Sequence, residues 1–329
     1  MDSSIVEEDI DLGEELLKLE ETKNSGDSQS VSKISTVGIS AFLRMEFPPR
    51  KNLLDPWLPT QGICMVYGER GIGKTYVAIG IAIAVASGGR FLKWDASEPK
   101  GVLLVDGEMP AVVLQERLAE TIASMDDEPI KPLNIITPDL QDLWMLNLST
   151  TEGQAEIEPH LKNISLVIVD TISTLCGNGR ENDAESWEPI QEWALKLRTM
   201  GISVLFMHHA GKGGLQRGTS KREDVLDTVI KLKHPTDYTP EDGAYFEVHF
   251  EKARGIYGDD VKPFEAKLTT GEGSKKVWTM KDLEESLIER VAKLLNDEVP
   301  QKEIPEKLGK SKGYISKLKT KAKNKGLLQ

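Results

Sequence analysis

Gly68, Gly73, Lys74 and Thr75 stand at fixed spacing in the stretch GERGIGKT and fit the pattern G-x-x-x-x-G-K-[ST]. In that pattern the backbone N–H groups of a glycine-rich loop, here Gly68, Glu69, Arg70, Gly71, Ile72 and Gly73 running on through Tyr76, surround phosphate oxygens. Lys74 reaches the β- and γ-oxygens, and the Thr75 hydroxyl helps hold Mg²⁺. A tight turn without a ligand can share these letters, so the flanks decide. Ile63 to Tyr67 read as a buried strand, and Tyr76 to Ala86 as a helix apolar enough to be covered on most sides. Strand, loop and helix in that order are what a nucleoside triphosphate cradle requires.

A cradle needs carboxylates around it. LVIVD, Leu166 to Asp170, is a run of four apolar residues capped by an aspartate, the type that completes a Mg²⁺ site. Thr171 follows it, so the carboxylate that orients the attacking water must come from elsewhere. Glu108, just past the apolar strand of GVLLVDGEMP, is favoured for its longer side chain and its place beyond the strand end. Asp106 is the rival, with a plainer reading as a strand-end turn residue.

These groups must be held by a sheet. The runs GICMVYG, GVLLVDGE, LVIVDT, GISVLFMHH and AYFEVHFEKAR are strand-length and separated by amphipathic stretches, which predicts a mostly parallel α/β sheet flanked by helices. FEAKLTT and KKVWTM predict antiparallel strands at a sheet edge. With 329 residues, 39% of them hydrophobic, the chain is long enough for one such core and a small appended module. We read residues 1–35 as an acidic, disordered tail, 36–281 as the α/β domain and 282–329 as an all-α module. Cys64 and Cys176 lie in apolar runs, not at disulfide spacings, and the longest apolar run is far short of a membrane span. A soluble, cytoplasmic protein without membrane contact is the expectation. The net charge of −12 argues against an all-round nucleic-acid clamp, but its distribution is polar. Residues 1–30 carry ten acids against two lysines, and residues 301–329 carry nine lysines against two glutamates.

The isolated Asp170, the separate Glu108 and the Lys74-Thr75 loop together resemble the RecA-like ATPases more than proteins with adjacent Asp and Glu. VLLVDGEMP, FMHHAGKGG and RGTSKREDVLDTVIKL resemble the plasmid RepA-type hexameric helicases across about residues 50 to 270. That resemblance implies ATP and Mg²⁺ as cofactors, a homo-oligomer with six-fold assembly and single-stranded DNA in a central channel. It places His209, or its neighbour His208, where DnaB-type helicases sense the γ-phosphate. It assigns Lys212 and Arg217, in AGKGGLQRGTSKRED beside Lys221 and Arg222, to the nucleic-acid backbone, against a reading as an ordinary surface loop. FEKARGIYG resembles the Lys-x-Arg-Gly segment of DnaB-type helicases and circadian-clock-type ATPases. That likeness implies that Lys252 and Arg254 act on a neighbouring subunit's nucleotide. Two apart on a strand, they are expected to share one face.

The C-terminal stretch predicts helices. Asp282 with Glu285 makes a capping-box-like start, and Leu283, Leu287, Val291 and Leu294 form a stripe. Ile304 and Leu308 anchor a short helix, Gly309 makes the turn, and Ser311 starts a last helix with Ile315, Leu318 and Ala322 inward. The pattern resembles a helix-turn-helix whose reading face, with Lys312, Tyr314, Lys317 and Lys319, would meet duplex DNA. Pro305 and the lack of room for a β wing depart from it, and a lysine-rich hairpin for oligomer contacts is the alternative. The whole predicts an oligomeric, Mg²⁺-dependent ATP hydrolase acting on DNA as a helicase or translocase in replication of a plasmid, phage or mobile element, possessing a replication partner protein. A nucleotide-gated DNA-binding switch without unwinding activity is the second reading.

Overall fold

Residues 35–125, 128–142, 145–176, 184–211, 224–271 and 275–328 are described by a computed structural model. The acidic tail up to residue 34 and the loop carrying Lys212 and Arg217 lie outside these residues. The chain divides into two compact units, ending and beginning at Pro49 and Arg50. The described part of the first holds a short helix, Ile39–Phe42, and a ring contact of 5.4 Å between Phe42 and Phe47.

In the second unit nine runs pair into one sheet: β1 (Ile63–Gly68), β2 (Val102–Asp106), β3 (Leu133–Ile136), β4 (Leu166–Asp170), β5 (Ser203–His209), β6 (Thr228–Lys233), β7 (Tyr245–Ala253), β8 (Phe264–Thr270) and β9 (Lys276–Asp282). Their order across the sheet is β9-β8-β7-β6-β1-β5-β4-β2-β3. The six strands from β6 to β3 are parallel. The remaining three continue the sheet antiparallel, as FEAKLTT and KKVWTM predict. Two strands fall outside the predicted set. β6, TVIKLK, lies between the cradle strand and the antiparallel extension, and β3 forms the far edge.

Side chains alternate between the two covered faces. Cys64 and Val66 of β1 enter one core, together with α1 (Lys74–Ser87) and α2 (Ala111–Met125). Ile63, Met65 and Tyr67 enter the other, with α3 (Thr151–Ile157) and α4 (Ala184–Thr199). From Val77 to Ser87, α1 is buried on every side. Each of its Val and Ile side chains contributes about 2 kcal/mol by leaving water, so the helix behind the cradle is fixed by packing. Trp57 is fully buried and packs edge-on against Trp94, 5.1 Å away, as a core residue.

Asp282 ends β9 and caps α5 (Leu283–Asn296), accepting from the N–H groups of Glu284 and Glu285 at 2.8 and 3.2 Å. With α6 (Ile304–Lys307) and α7 (Lys312–Asn324), α5 builds a separate small core around Leu287, Val291, Ile304, Leu308, Ile315, Leu318 and Ala322. Ile288 is buried where the predicted stripe has the half-buried Leu294. Pro305 is tolerated because α6 starts only one residue earlier, where its missing N–H has no helical partner to lose. Arg290 fastens α5 to the sheet: it donates to Glu265 and, at 2.8 Å, to Asp237, while its Nη2 donates to the Tyr245 hydroxyl at 2.6 Å.

Candidate active site

Strands β1, β5, β4 and β2 are neighbours and end together. Register sets Gly68 beside His209, Asp170 beside Met207 and Asp106 beside Asp170. The C-terminal rim of a parallel sheet is where ligands gather, and the loop Glu69–Gly73 leaves this rim to enter α1. Gly73 caps the helix with φ of 107°, and a Cβ there would come 2.9 Å from that of Ala244, so only glycine fits. Lys74 is folded over the loop, its Nζ donating to the carbonyls of Gly68 (3.1 Å) and Glu69 (2.8 Å). Burial lowers its pKa to about 8, against the pull of Asp170 and Glu108. A desolvated ammonium resting on two carbonyls is poised to transfer to a stronger acceptor such as a phosphate. The ring of Tyr76 is covered by the Arg117 guanidinium at 4.7 Å.

The acids divide by environment. Asp170 is almost fully buried, and neither carboxylate oxygen has a hydrogen-bond partner. Burial pushes its pKa up to about 6, with Asp106 and Glu108 adding to the rise and the Thr75 hydroxyl and Lys74 opposing it. Asp106 is also buried and pushed up to about 6 by burial, although its Oδ2 accepts the Met109 N–H at 2.9 Å. An orphaned carboxylate beside a hydroxyl fits a hard divalent cation. Among the described residues no three His, Cys, Asp or Glu cluster into a metal cage. Mg²⁺ needs none when one or two protein oxygens and substrate phosphates share it.

Glu108 behaves differently. Its side chain is 42% exposed, and one oxygen, Oε1, accepts from the Thr171 hydroxyl at 2.9 Å and faces His209 Nε2 at 3.2 Å. The hydrogen bond from His209, and then that from Thr171, hold the carboxyl below its usual range. An ionised oxygen only accepts, so the ring proton sits on Nε2. Of the two histidines, His209 faces Glu108, while His208 lies with Val204 and Phe206 on the other face of β5. Thr171 had no expected role; its neighbour Asp170 was the only signal.

Lys252 and Arg254 stand apart from this group. β7 ends at Ala253, so Lys252 is on the strand but Arg254 lies in the turn beyond it, and the expected shared strand face does not hold. Ala253 pairs with Thr228, and Thr228 with Cys64, at the opposite end of the sheet from Gly68. Four residues of strand put the pair about 13 Å from the rim that carries the cradle. On α7, Lys312 and Lys317 are exposed, Tyr314 is half-buried, and Lys319 donates to Gln301 at 2.8 Å. Lys321 and Lys325 face the start of α5, pairing with Glu284 and Glu285 at 2.6 and 3.0 Å.

No curated protein matches this sequence. Among solved structures, a KaiC-like protein from the hyperthermophilic archaeon Pyrococcus horikoshii OT3 is 16% identical. That match covers 69% of this chain and 93% of the other, with a TM-score of 0.49. No helix among the described residues is long and apolar enough to cross a membrane. The match to the family AAA_25, an AAA domain, runs over residues 28–214, enclosing the cradle, Glu108, Asp170 and His209 and stopping before Lys252 and the C-terminal helices. A cradle of this form inside a match that spans more than half the sequence makes the protein a P-loop ATPase, and the chain belongs to the AAA domain family AAA_25.

Proposed function

We propose that the protein is a Mg²⁺-dependent ATP hydrolase that works as a ring of copies on DNA, as a helicase or translocase in replication of a plasmid, phage or mobile element. One observation carries the reading. Every group suited to hold and cleave a triphosphate lies at one rim of the sheet, while Lys252 and Arg254 lie at the other. A site of this kind is completed when the far rim of one copy meets the cradle of the next. Such head-to-tail contacts are heterologous, and they close into a ring when the rotation between copies closes.

In this scheme Lys74 transfers from the carbonyls of Gly68 and Glu69 to phosphate oxygens. Asp170 and Thr75 would hold Mg²⁺, which would supply neutralisation of the phosphate charge. Glu108, ionised and held by Thr171 and His209, accepts from the attacking water. Arg254 of the next copy stabilises charge on the transferred group, an effect worth on the order of 10³ or more in rate. His209 touches Glu108 and stands near where a γ-phosphate would lie, so it links phosphate loss to β5 and the loop that carries Lys212 and Arg217.

A second reading, a nucleotide-gated switch that binds DNA without unwinding it, draws on the C-terminal module. Ala244 packs against Gly73 of the cradle, and the next residue, Tyr245, bonds Arg290 of α5. A shift in the cradle is thereby linked to the helices that would meet DNA.

Steady-state ATP hydrolysis with and without single-stranded DNA, read beside mass measurements of assembly and a duplex-unwinding assay, tests both. The motor reading expects DNA-stimulated turnover that falls on dilution to monomer, and unwinding that vanishes in Lys74→Ala. Nucleotide-dependent duplex binding without unwinding supports the switch, and undiminished turnover by the monomer sinks the shared site.

A further inference from the structure

The far rim carries a carboxylate that the scheme above does not use. Asp227 immediately precedes β6, its side chain is 5% exposed, and it is gripped from several sides. Arg50 donates to it as a fork, Nη1 to Oδ1 at 3.1 Å and Nη2 to Oδ2 at 3.2 Å. The N–H of Ile63, at the start of the cradle strand, donates to Oδ2 at 3.0 Å, and Arg198 Nη1 stands 4.0 Å from the same oxygen. Arg50 is itself fixed, through Nε to the Thr60 carbonyl and Nη2 to that of Gln61, both at 3.2 Å. The backbone of Asp227 is held as firmly, its N–H donating to Ile63 O at 2.7 Å.

Arg254 hangs from this assembly. Its backbone N–H donates to the carbonyl of Asp227 at 3.0 Å, and its guanidinium Nη2 to the carbonyl of Asp224 at 3.1 Å. Arg50 and Arg198 thus stand at the buried carboxylate of Asp227, while Arg254, with Lys252 two residues before it, is tied to the main chain of the same residue. Without the carboxylate, Arg50 and the N–H of Ile63 lose their acceptor, and the main-chain segment whose carbonyls hold Arg254 loses its anchor.

We infer that Asp227, clamped by Arg50, is a positioning residue that aims Arg254 at the nucleotide of a neighbouring copy. This rests on the reading that Arg254 acts between copies. The competing explanation is structural: Asp227 caps the start of β1 and only keeps the sheet together. The two differ in which copy of a shared site needs the carboxylate.

The test mixes two full-length chains. Lys74→Ala can donate only Arg254 to a shared site, and Arg254→Ala can donate only a cradle. Each alone is inactive, and a random equal mixture restores about a quarter of the interfaces, with ATPase activity well above the sum of the parents. Asp227→Asn is then placed in one chain or the other. Positioning expects the mixture to lose at least about tenfold when the change rides on the Lys74→Ala chain, and under about twofold when it rides on the Arg254→Ala chain. Equal losses in both arrangements, or no loss in either, overturn the inference while leaving the shared site intact. Failure of the parent mixture to regain activity sinks the shared site instead. If Asp227→Asn does not fold, Arg50→Ala, at a partly exposed side chain, takes its place with the same asymmetry expected and the same symmetric outcome overturning the inference.

Discussion

Replacing Asp170 by asparagine should make the protein more stable at alkaline pH while ending turnover. The carboxylate is carried from an ordinary 3.8 to about 6, with burial the leading cause. A folded pKa above the unfolded one means that the native state is favoured when the group is protonated. That advantage is complete below the unfolded value and is lost as pH rises through 6. At pH 8 the ionised side chain therefore costs about 3 kcal/mol relative to a neutral one. The asparagine amide would be buried where neither aspartate oxygen has a partner, which takes back about 1–2 kcal/mol. A net gain of roughly 1–2 kcal/mol remains, or about 1–3 °C in Tm for a chain of this size. The pH dependence is the sharper signature. Between pH 5 and pH 8 the advantage of Asp170→Asn over the parent should grow by about 1–2 kcal/mol, because at pH 5 the native aspartate is still largely protonated. Thermal melts of both proteins, without nucleotide, across that range measure it. Adding Mg²⁺ and a non-hydrolysable triphosphate should reverse the order, since only the aspartate has a charge to offer the metal. A Tm difference that stays flat from pH 5 to pH 8, or an asparagine variant that gains as much from Mg²⁺ and nucleotide as the parent does, would refute the argument.

The other predictions concern the anchor, the cradle and the last helix. Arg290→Met leaves Glu265, 7% exposed, without its cation and should cost about 3–5 kcal/mol in denaturant unfolding. Adding Glu265→Gln should recover much of that, and no recovery would mean the pair is not the anchor. Gly73→Ala should cost about 1–3 kcal/mol and abolish nucleotide binding by calorimetry, because φ of 107° and the Ala244 contact both exclude a Cβ. Gly201→Ala, at φ of 85° in open space, should cost only about 1 kcal/mol. If α7 meets DNA, Lys312→Glu with Lys317→Glu should weaken duplex binding and reduce the salt slope by about 2. Lys321→Glu, which faces Glu284, should instead lower stability, and an equal loss of DNA binding by all three would overturn that division of the helix.

What could be read from the sequence was chemistry carried by adjacent residues. The cradle is set by a local backbone path, so Gly68 to Thr75 and the strand and helix beside them were legible. So were the caps at Asp282 and Ser311, each satisfied by N–H groups two or three residues on. Asp106 shows where locality fails. Its bond to the Met109 N–H is the turn role that the sequence suggests, whereas its place beside Asp170 depends on cross-strand register. β6 was hidden because Lys231 and Lys233 interrupt its apolar letters, though Lys231 finds Glu251 across the sheet. The lysine-rich end of the chain carries no mark of which lysines point inward, yet Lys321 pairs with Glu284 and Lys325, just past α7, with Glu285. Strand direction matters most. A parallel β7 would bring its last residues to the rim of Gly68, and Lys252 and Arg254 would lie beside the cradle of their own chain. β7 instead runs antiparallel to β6, and that reversal sends the pair to the far rim. The motif is the same in either direction, so the letters FEKARG alone cannot say whose nucleotide it serves. A single hairpin between Lys233 and Tyr245 sets which rim carries the pair, so the proposed shared site rests on topology before it rests on residues.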